Sequence, residues 1–161
     1  MNHPHQGSAL TARMRVRLRD GEVEMPVFSQ ISENLWQAGC PQNGLPLPGR
    51  FAHVINLAGV PAYRAHHVLM TSTVVDMADS SDQSMDIVDP LARLVADLAA
   101  TSAVLVNCLA GLNRSGVVVA RALMHRGLTA DEAIATVRAR RHERALYNEH
   151  FVTWLHENPL H

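Results

Sequence analysis

The stretch VNCLAGLNRSG, residues 106–116, decides the fold that we expect for this chain. It continues an apolar run, SAVLVNC (102–108), which is typical of a buried central strand. A glycine-containing loop follows, and GVVVARALMHRG (116–127) then has the composition of a helix closed by a glycine. Before the run, residues 86–100 carry apolar side chains at helical spacing. The order is therefore helix, strand, loop, helix.

The rest of the chain predicts a single α/β domain in which a central, mostly parallel sheet is flanked by helices. We expect short strands in ISENLWQAG (31–39), FAHVINLAG (51–59) and TSTVVDMA (71–78). A helix over 128–141 is indicated by Thr129, which is followed three residues later by a glutamate in a capping-box pattern. A last amphipathic helix covers residues 148–156.

An N-terminal β-hairpin is predicted by RMRVRLRDGEVEMPV (13–27), in which charged and apolar side chains alternate around Asp20-Gly21. We expect this hairpin to extend the edge of the sheet rather than to dock a partner. A turn at Asp20-Gly21 sets Arg19 opposite Glu22 and Arg17 opposite Glu24, and it places Met14, Val16, Leu18, Val23 and Met25 on one apolar face.

Composition limits the class of protein. With 161 residues, of which 47% are apolar, the chain suffices for one compact domain. The net charge of −1 argues against nucleic acid or a membrane surface as the main partner, so an anion site must be local. We expect a flexible leader over 1–8 and one domain over 9–161, with its core at 29–157.

Cysteine usage indicates the compartment. Cys40 and Cys108 are the two cysteines, and the chain starts without the pattern of a secretory signal. This pattern favours free thiols in a reducing compartment, so we expect a cytoplasmic protein. No apolar run approaches the roughly 20 residues that cross a bilayer.

Cys108 lies at the carboxyl end of the predicted central strand, where open α/β sheets bind ligands. The loop 109–113 leads into a helix that begins near Ser115, so its N–H groups and the helix N-terminus can converge on one anion. Arg114 adds a planar fork that matches two phosphate oxygens. The same field favours a thiolate. These features predict covalent phosphoryl transfer, in which the thiolate accepts the phosphoryl group and water removes it.

This pattern resembles the signature loop of the cysteine-dependent protein phosphatases, in particular the dual-specificity type. The loop has a cysteine, five residues, an arginine, a serine and a glycine, between a strand and a helix. ISENLWQAG, HVINLAG, the acidic loop after TSTVVDMA and RARRHERALYNEHF (138–151) follow in the family's order, over roughly residues 29–157. The resemblance implies a protein tyrosine phosphatase-like fold. It also implies hydrolysis of phosphotyrosine, phosphoserine or phosphothreonine in proteins, without metal or cofactor.

The resemblance also implies roles for single residues. Cys108 would be the nucleophile, Arg114 the phosphate clamp, and Ser115 the hydroxyl that helps the thiolate to leave. Gly111 and Gly116 would allow the tight backbone. The phosphate would be bound by Leu109, Ala110, Gly111, Leu112, Asn113 and Gly116.

Such an enzyme needs an acid for the leaving oxygen and then a base for the attacking water. The segment after the third strand carries four aspartates. Alignment with the family's pattern places the acid at Asp79, just past the strand. Asp76, which we expect within the strand, is the alternative. Solvated acidic residues would account for the other two, Asp82 and Asp86.

Three further residues resemble supporting positions. Asn148 is similar to a residue that braces the signature loop, and it also suits the N-cap of the last helix. Tyr63 lies in a loop where relatives recognise substrate. Asn107 departs from the family, which usually has histidine there, because asparagine keeps some hydrogen bonds but adds no positive charge.

Other groups have plainer interpretations. Cys40 lacks a cationic neighbour in the sequence, and the histidines lack metal-ligand spacing, so we expect no redox role and no metal. A basic cluster near the last helix is interpreted as a solvated face, with substrate steering as the alternative. Its members are Arg138, Arg140, Arg141 and Arg144.

Two alternative functions stay open. An asparagine directly before the arginine, here Asn113 before Arg114, is similar to the RNA 5′-triphosphatase branch of the superfamily, which depends less on a general acid. A phosphate-binding module without catalysis is the second alternative, although both Cys108 and Arg114 are present. The expected partner is a phosphorylated protein, and nucleic acid only if the triphosphatase alternative holds.

Overall fold

A computed structural model describes residues 9–41 and 44–160 of the chain. The predicted leader, 1–8, lies outside the described residues. None of the helices in the described ranges is long and apolar enough to cross a membrane. The elements are β1 (Arg13–Leu18), β2 (Gly21–Pro26), β3 (Phe28–Ser32), β4 (Leu35–Ala38), β5 (His53–Asn56), β6 (Thr71–Val74), α1 (Val88–Ala99), β7 (Val104–Asn107), α2 (Arg114–His125), α3 (Ala130–Arg140) and α4 (Glu149–Glu157).

The central sheet has the strand order β3-β4-β7-β5-β6. β3 runs antiparallel to β4, and the other neighbours pair in parallel. β7, the predicted central strand, lies in the middle, and all four of its residues are buried. The predicted α/β fold with a mostly parallel sheet is therefore confirmed.

The two faces of the sheet pack against different hydrophobic clusters. Val104 and Val106 of β7 belong to a large cluster that contains the buried apolar side chains of all four named helices. Leu105, which points to the opposite face, belongs to a smaller cluster with Trp36 and Phe51. This alternation follows from the period of two along a strand, so that β7 contributes side chains to both clusters.

The segment 31–39, predicted as one strand, contains a turn. β3 ends at Ser32 and β4 begins at Leu35, and the two strands pair as an antiparallel hairpin. Asn34 adopts a φ of 60° at this turn, a conformation that asparagine tolerates better than most residues. The polar residues Ser32, Glu33 and Asn34 separate the two apolar stretches, and they are the local signal for the turn.

The N-terminal hairpin is present, but its predicted register is wrong. Arg17 pairs with Glu22 and Arg15 with Glu24, so the turn comprises Arg19 and Asp20. Gly21, with a φ of 143°, is the first residue of β2 rather than part of the turn. The apolar face is unchanged, because the register moves by two residues and side chains alternate with period two.

The hairpin also does not extend the central sheet. β1 and β2 form a separate two-stranded sheet, and they bury Val16 and Met25 in the large cluster. Met14 packs so closely on the end of β4 that a Cβ atom at Gly39 would lie 2.4 Å from its sulfur. The apolar face of the hairpin covers the core. The hairpin is therefore held by this burial and not by strand pairing with the edge of the central sheet.

Helix termini follow the predicted caps. Thr129 and Glu132 form the complete capping box at the start of α3. At the start of α4, the Asn148 side chain accepts a hydrogen bond from the N–H of His150. These two helices, α3 and α4, therefore begin where local sequence signals place them.

Candidate active site

The loop 108–113 joins the end of β7 to the start of α2. Gly111 turns the loop with a φ of 70°, which side chains with a Cβ atom rarely adopt. A Cβ atom there would also lie 2.5 Å from the carbonyl carbon of Ala38. Glycine is required at this position because the loop lies directly against the end of β4.

The backbone of this loop offers several N–H donors to a ligand. The N–H of Cys108 donates to the Ala38 carbonyl at 3.3 Å, but within the described residues the N–H groups of 109–114 have no backbone acceptor. The loop leads into the N-terminus of α2, the positive end of the helix dipole. Free N–H donors at a helix N-terminus form a site for an anion such as phosphate.

Cys108 lies at the base of this loop and is 2% exposed. Its Sγ lies 3.3 Å from the Oγ of Ser115. Ser115 is held from below by Gln37 of β4, whose Nε2 donates to Ser115 Oγ at 3.1 Å and to the Gly111 carbonyl at 3.0 Å. Gln37 was missed from sequence, where the only signal was a glutamine inside an apolar strand. The structure thus brings thiol, hydroxyl and loop together.

Arg114 is anchored through one of its terminal nitrogens. Its Nη1 donates to the carbonyls of Leu57 and Met77, each at 3.1 Å. Its Nε is buried and has no hydrogen-bond partner among the described residues. A guanidinium held in this way keeps donors available for two oxygens of one ligand, as the sequence predicts for a phosphate clamp.

Asp79 is tied to the loop by two asparagines. Its Oδ2 accepts from Asn113 Nδ2 and its Oδ1 from Asn148 Nδ2, both at 2.9 Å. Asn113 Oδ1 in turn accepts from the N–H of Asn148 at 3.0 Å. This ring places the predicted acid beside the predicted phosphate site. Asn148 thus contacts both Asn113 of the loop and Asp79, and its side chain also caps α4.

Asp76 and Tyr63 lie differently from what the sequence predicts. β6 ends at Val74, so Asp76 follows the strand instead of lying within it, and its carboxylate faces the turn at Gly59. Tyr63 packs its ring on Phe28 and donates its hydroxyl to the carbonyl of residue 39. Burial raises the pKa of Tyr63 well above its usual range. Its phenol supports the strand end beneath the loop.

Tyr147 is a neighbour of the site that sequence reasoning missed. Its side chain lies close enough to Asp79 for the charge of that carboxylate to act on the phenol. Partial burial and then the Asp79 charge raise the pKa of Tyr147. The residue is 51% exposed. Its position directly before Asn148 was the one available signal.

Asn107 braces the neighbouring strand. Its Nδ2 donates to Asn56 Oδ1 at 3.3 Å, and its Oδ1 is buried without a partner among the described residues. Asn56 in turn binds the N–H of Ala58 and the carbonyl of Val60. The amide at position 107 therefore orders the loop after β5, which carries the Leu57 carbonyl that holds the clamp.

The predicted basic cluster does not form one solvated face. Arg141 is buried, at 4% exposure, and it donates to the carbonyls of Gly111 and Ala110. Arg138 donates to two carbonyls of the segment before α4, and Arg144 pairs with Asp20 of the hairpin turn. The side chains of these arginines reach different parts of the molecule because α3 ends at Arg140, between Arg138 and the other two.

The two cysteines are free thiols. The backbone N–H of Cys40 donates to the carbonyl of Leu109 at 2.8 Å, so the two loops lie side by side. Burial, and secondarily Cys108, raises the pKa of Cys40. Among the described residues, no three histidine, cysteine, aspartate or glutamate side chains cluster as a metal site would require.

Comparison with known proteins identifies related sequences and folds. Residues 49–159 match the family model of the dual specificity phosphatase catalytic domain. Human DUSP28 matches at 23% identity and a TM-score of 0.70, covering 82% of this chain and 92% of that one. No curated protein sequence is significantly similar to the chain.

Two further solved structures are similar. The human tyrosine phosphatase-like serine/threonine/tyrosine-interacting protein matches at 23% identity and a TM-score of 0.66, over 81% of this chain and 93% of that one. A mouse protein assigned to the dual specificity phosphatases and complexed with zinc tungstate matches at 22% identity and a TM-score of 0.67, over 81% and 85%. At these identities the likeness is one of fold.

Proposed function

Because this chain belongs to the dual specificity phosphatase family, we propose that it removes phosphate from phosphotyrosine, and also from phosphoserine and phosphothreonine, in proteins. The proposal rests on one observation above all. A buried thiol, that of Cys108, lies at the base of a loop whose N–H groups are free and beside an arginine with a free Nε. A tetrahedral anion bound there would place its phosphorus next to the sulfur.

In the first step, the Cys108 thiolate attacks phosphorus and forms an S–P bond. The bond between phosphorus and the ester oxygen breaks, and Asp79 gives its proton to that oxygen. The N–H groups of 109–114 and the Arg114 guanidinium stabilise the charge that spreads over the three phosphoryl oxygens. The products are the free hydroxyl group of the substrate and a cysteinyl phosphate.

In the second step, water attacks the cysteinyl phosphate while the Asp79 carboxylate takes a proton from it. The S–P bond breaks, and its electron pair returns to sulfur. Ser115, 3.3 Å from the sulfur, donates its hydroxyl proton in a hydrogen bond to the departing thiolate. Inorganic phosphate leaves, and the aspartic acid and the thiolate are restored for the next cycle.

The contacts of Asn113 support the proposal of a protein substrate over triphosphate-ended RNA. The RNA alternative rests on Asn113, whose side chain donates to Asp79 and accepts from Asn148 within the protein. An asparagine that positions the acid fits an enzyme that depends on one. With two free thiols, we assign the protein to a reducing compartment, the cytoplasm.

The decisive test compares three substrates on one enzyme preparation. We expect phosphate release from p-nitrophenyl phosphate and from a phosphotyrosine peptide, and its loss in Cys108→Ser, whose hydroxyl is a far weaker nucleophile than a thiolate. Cys40→Ser is the matched control and should retain turnover. Release from triphosphate-ended RNA but not from the peptide would contradict the proposal.

An oxyanion probe tests the site without turnover. Tungstate is a tetrahedral oxyanion, and the mouse neighbour is complexed with zinc tungstate. We expect sodium tungstate to inhibit this enzyme competitively and to protect Cys108 from alkylation. Binding with no turnover on any phosphoester would identify a phosphate-binding module instead of an enzyme.

A further inference from the structure

Arg141, the residue that follows α3, is a buried cation surrounded by neutral acceptors. Its Nε donates to the Gly111 carbonyl at 2.9 Å, and its Nη2 donates to the Ala110 carbonyl at 3.3 Å. Its Nη1 donates to Ser29 Oγ and to the carbonyls at positions 26 and 27. No carboxylate among the described residues forms an ion pair with it.

A buried charge without a counter-ion is costly, and proteins keep such a charge where another group uses it. Burial lowers the pKa of Arg141 to about 10, so the guanidinium is still charged at neutral pH. Among the described residues, the titratable groups whose charges act on it are the Cys108 thiol and the Tyr63 phenol. Burial keeps that phenol protonated at neutral pH. Cys108 is therefore the neighbour that can carry the matching negative charge.

The contacts of Arg141 also orient the loop. In a trans peptide the C=O and N–H bonds point in opposite directions. The Ala110 carbonyl shares a peptide with the N–H of Gly111, and the Gly111 carbonyl shares one with the N–H of Leu112. When Arg141 holds both carbonyls, it turns both N–H groups away from itself and toward the side where the anion binds.

We propose that Arg141 is a positioning residue of the active site, which stabilises the Cys108 thiolate by its charge and aims two loop N–H groups at the phosphate. It supplies from beneath the loop a positive charge that Asn107 cannot supply. This role in catalysis rests on the proposed function. The effects of Arg141 on the reactivity of the thiol and on the binding of an anion do not depend on it.

The surroundings of the thiol define what must be held constant in a test. Cys40, Tyr63, Tyr147 and Arg141 all interact electrostatically with Cys108. The nearby Cys40 would also be alkylated, so the experiment is carried out in a Cys40→Ser background.

The test measures the rate at which neutral iodoacetamide alkylates Cys108 between pH 5 and 9. In Arg141→Met the profile should move to higher pH, with a roughly tenfold slower reaction at pH 6. Arg141→Gln, which keeps hydrogen bonding but not charge, should move it in the same direction. Arg141→Lys, which keeps the charge, should stay within about twofold of the parent.

Arg138→Met is the matched control, because Arg138 lies three residues before Arg141 and also donates to two backbone carbonyls. It should lower the melting temperature and leave the alkylation profile unchanged. A second readout, protection by tungstate, should weaken in Arg141→Lys because the fork that holds two carbonyls is lost.

The proposal is overturned if the Arg141→Gln profile matches the parent, or if Arg141→Lys moves it as far as Arg141→Gln does. Alkylation needs no substrate, so this result does not depend on turnover. A parent protein that hydrolyses no phosphoester would contradict the proposed function, while the alkylation comparison would still decide the role of Arg141.

Discussion

The two sides of the active site are held by different kinds of contact. On the loop side, formed by residues 108–116 with their supports Gln37 and Arg141, buried side chains bind backbone carbonyls. On the acid side, the exposed carboxylate of Asp79 is held by two side-chain amides, one from the buried Asn113 of the loop and one from Asn148. Buried contacts to the main chain resist local opening, whereas the contacts of an exposed side chain open at lower free energy.

The difference indicates a division of work within the site. The loop side must present the same donors to every phosphate, so preorganisation favours catalysis there. In the proposed mechanism, the acid side gives a proton, takes one back and allows substrates of different size to approach. A carboxylate on an exposed segment can adjust to each of these tasks.

The acid side offers the largest expected effect. We expect Asp79→Asn to lower kcat about a thousandfold for phenyl phosphate, a poor leaving group that needs protonation. For p-nitrophenyl phosphate, whose leaving group is stable as an anion, the loss should be about tenfold. Steady-state kinetics on both substrates measures this, with Asp76→Asn as the control. Equal losses on the two substrates would mean that Asp79 is not the acid.

On the loop side, we expect Gly111→Ala to lower kcat/KM about a hundredfold for both aryl phosphates, because a displacement of about 1 Å suffices for such a loss. The added methyl would meet the Ala38 backbone at 2.5 Å and would require a φ of 70°. Gly127→Ala, at a φ of 105° but with open space around it, is the matched control for backbone strain. Similar activity losses in both variants would remove the argument for close approach.

The two asparagines separate positioning from helix capping. Asn113→Ala and Asn148→Ala should each lower kcat about tenfold on phenyl phosphate, since each loses a hydrogen bond to a charged group worth about 1.5 kcal/mol. Asn148→Ala should also lower the free energy of unfolding by about 1 kcal/mol through its lost cap. Kinetics and urea denaturation of both variants measure these effects. A complete loss of activity in only one of the two variants would contradict the idea that Asn113 and Asn148 position Asp79 together.

The smallest effect is expected at the hairpin turn. A hydrogen bond from Arg144 lowers the pKa of Asp20 below its usual value of 3.8. Because the pKa of Asp20 is lower in the folded protein, the ion pair stabilises the fold at pH values above the usual pKa of 3.8. This stabilisation is lost as the pH falls through the lower, folded-state pKa. Asp20→Asn should therefore lower the melting temperature slightly at pH 7 and not at pH 2. Asp82→Asn is the control, and a loss that persists at pH 2 would exclude the ion pair as its cause.

The parts of the site that could be predicted from the sequence are those whose residues lie close together along the chain. The strand before Cys108, the loop glycine and the helix after Arg114 are neighbours in sequence, so composition and spacing reveal them. Asp79 and Asn148 required the resemblance to a family, because only the fold brings them beside Asn113. The hairpin was predicted in kind but not in register, since two turns, one residue apart, preserve the same apolar face.

The supports beneath the loop could not be predicted, for a different physical reason. Gln37 and Arg141 look like polar residues of an ordinary strand and helix end until the chain is folded. Their significance lies in carbonyls 74 and 30 residues away in sequence. Sequence patterns report periodicity, and periodicity does not say which backbone group a buried polar side chain will meet.

The hydrogen bonds of Arg141 also bear on how the enzyme is made. The Arg141 side chain joins the Gly111 carbonyl to the carbonyl of Pro26, which lies 115 residues before Arg141 in the chain. Such long-range contacts form late, because closing a large loop of chain costs entropy before any contact repays it. During synthesis, the N-terminal hairpin and the cysteine leave the ribosome well before the arginine that completes their surroundings. Under the proposed role of Arg141, the nascent chain carries Cys108 as an ordinary thiol, which becomes reactive only after Arg141 has been synthesised and has docked beneath the loop.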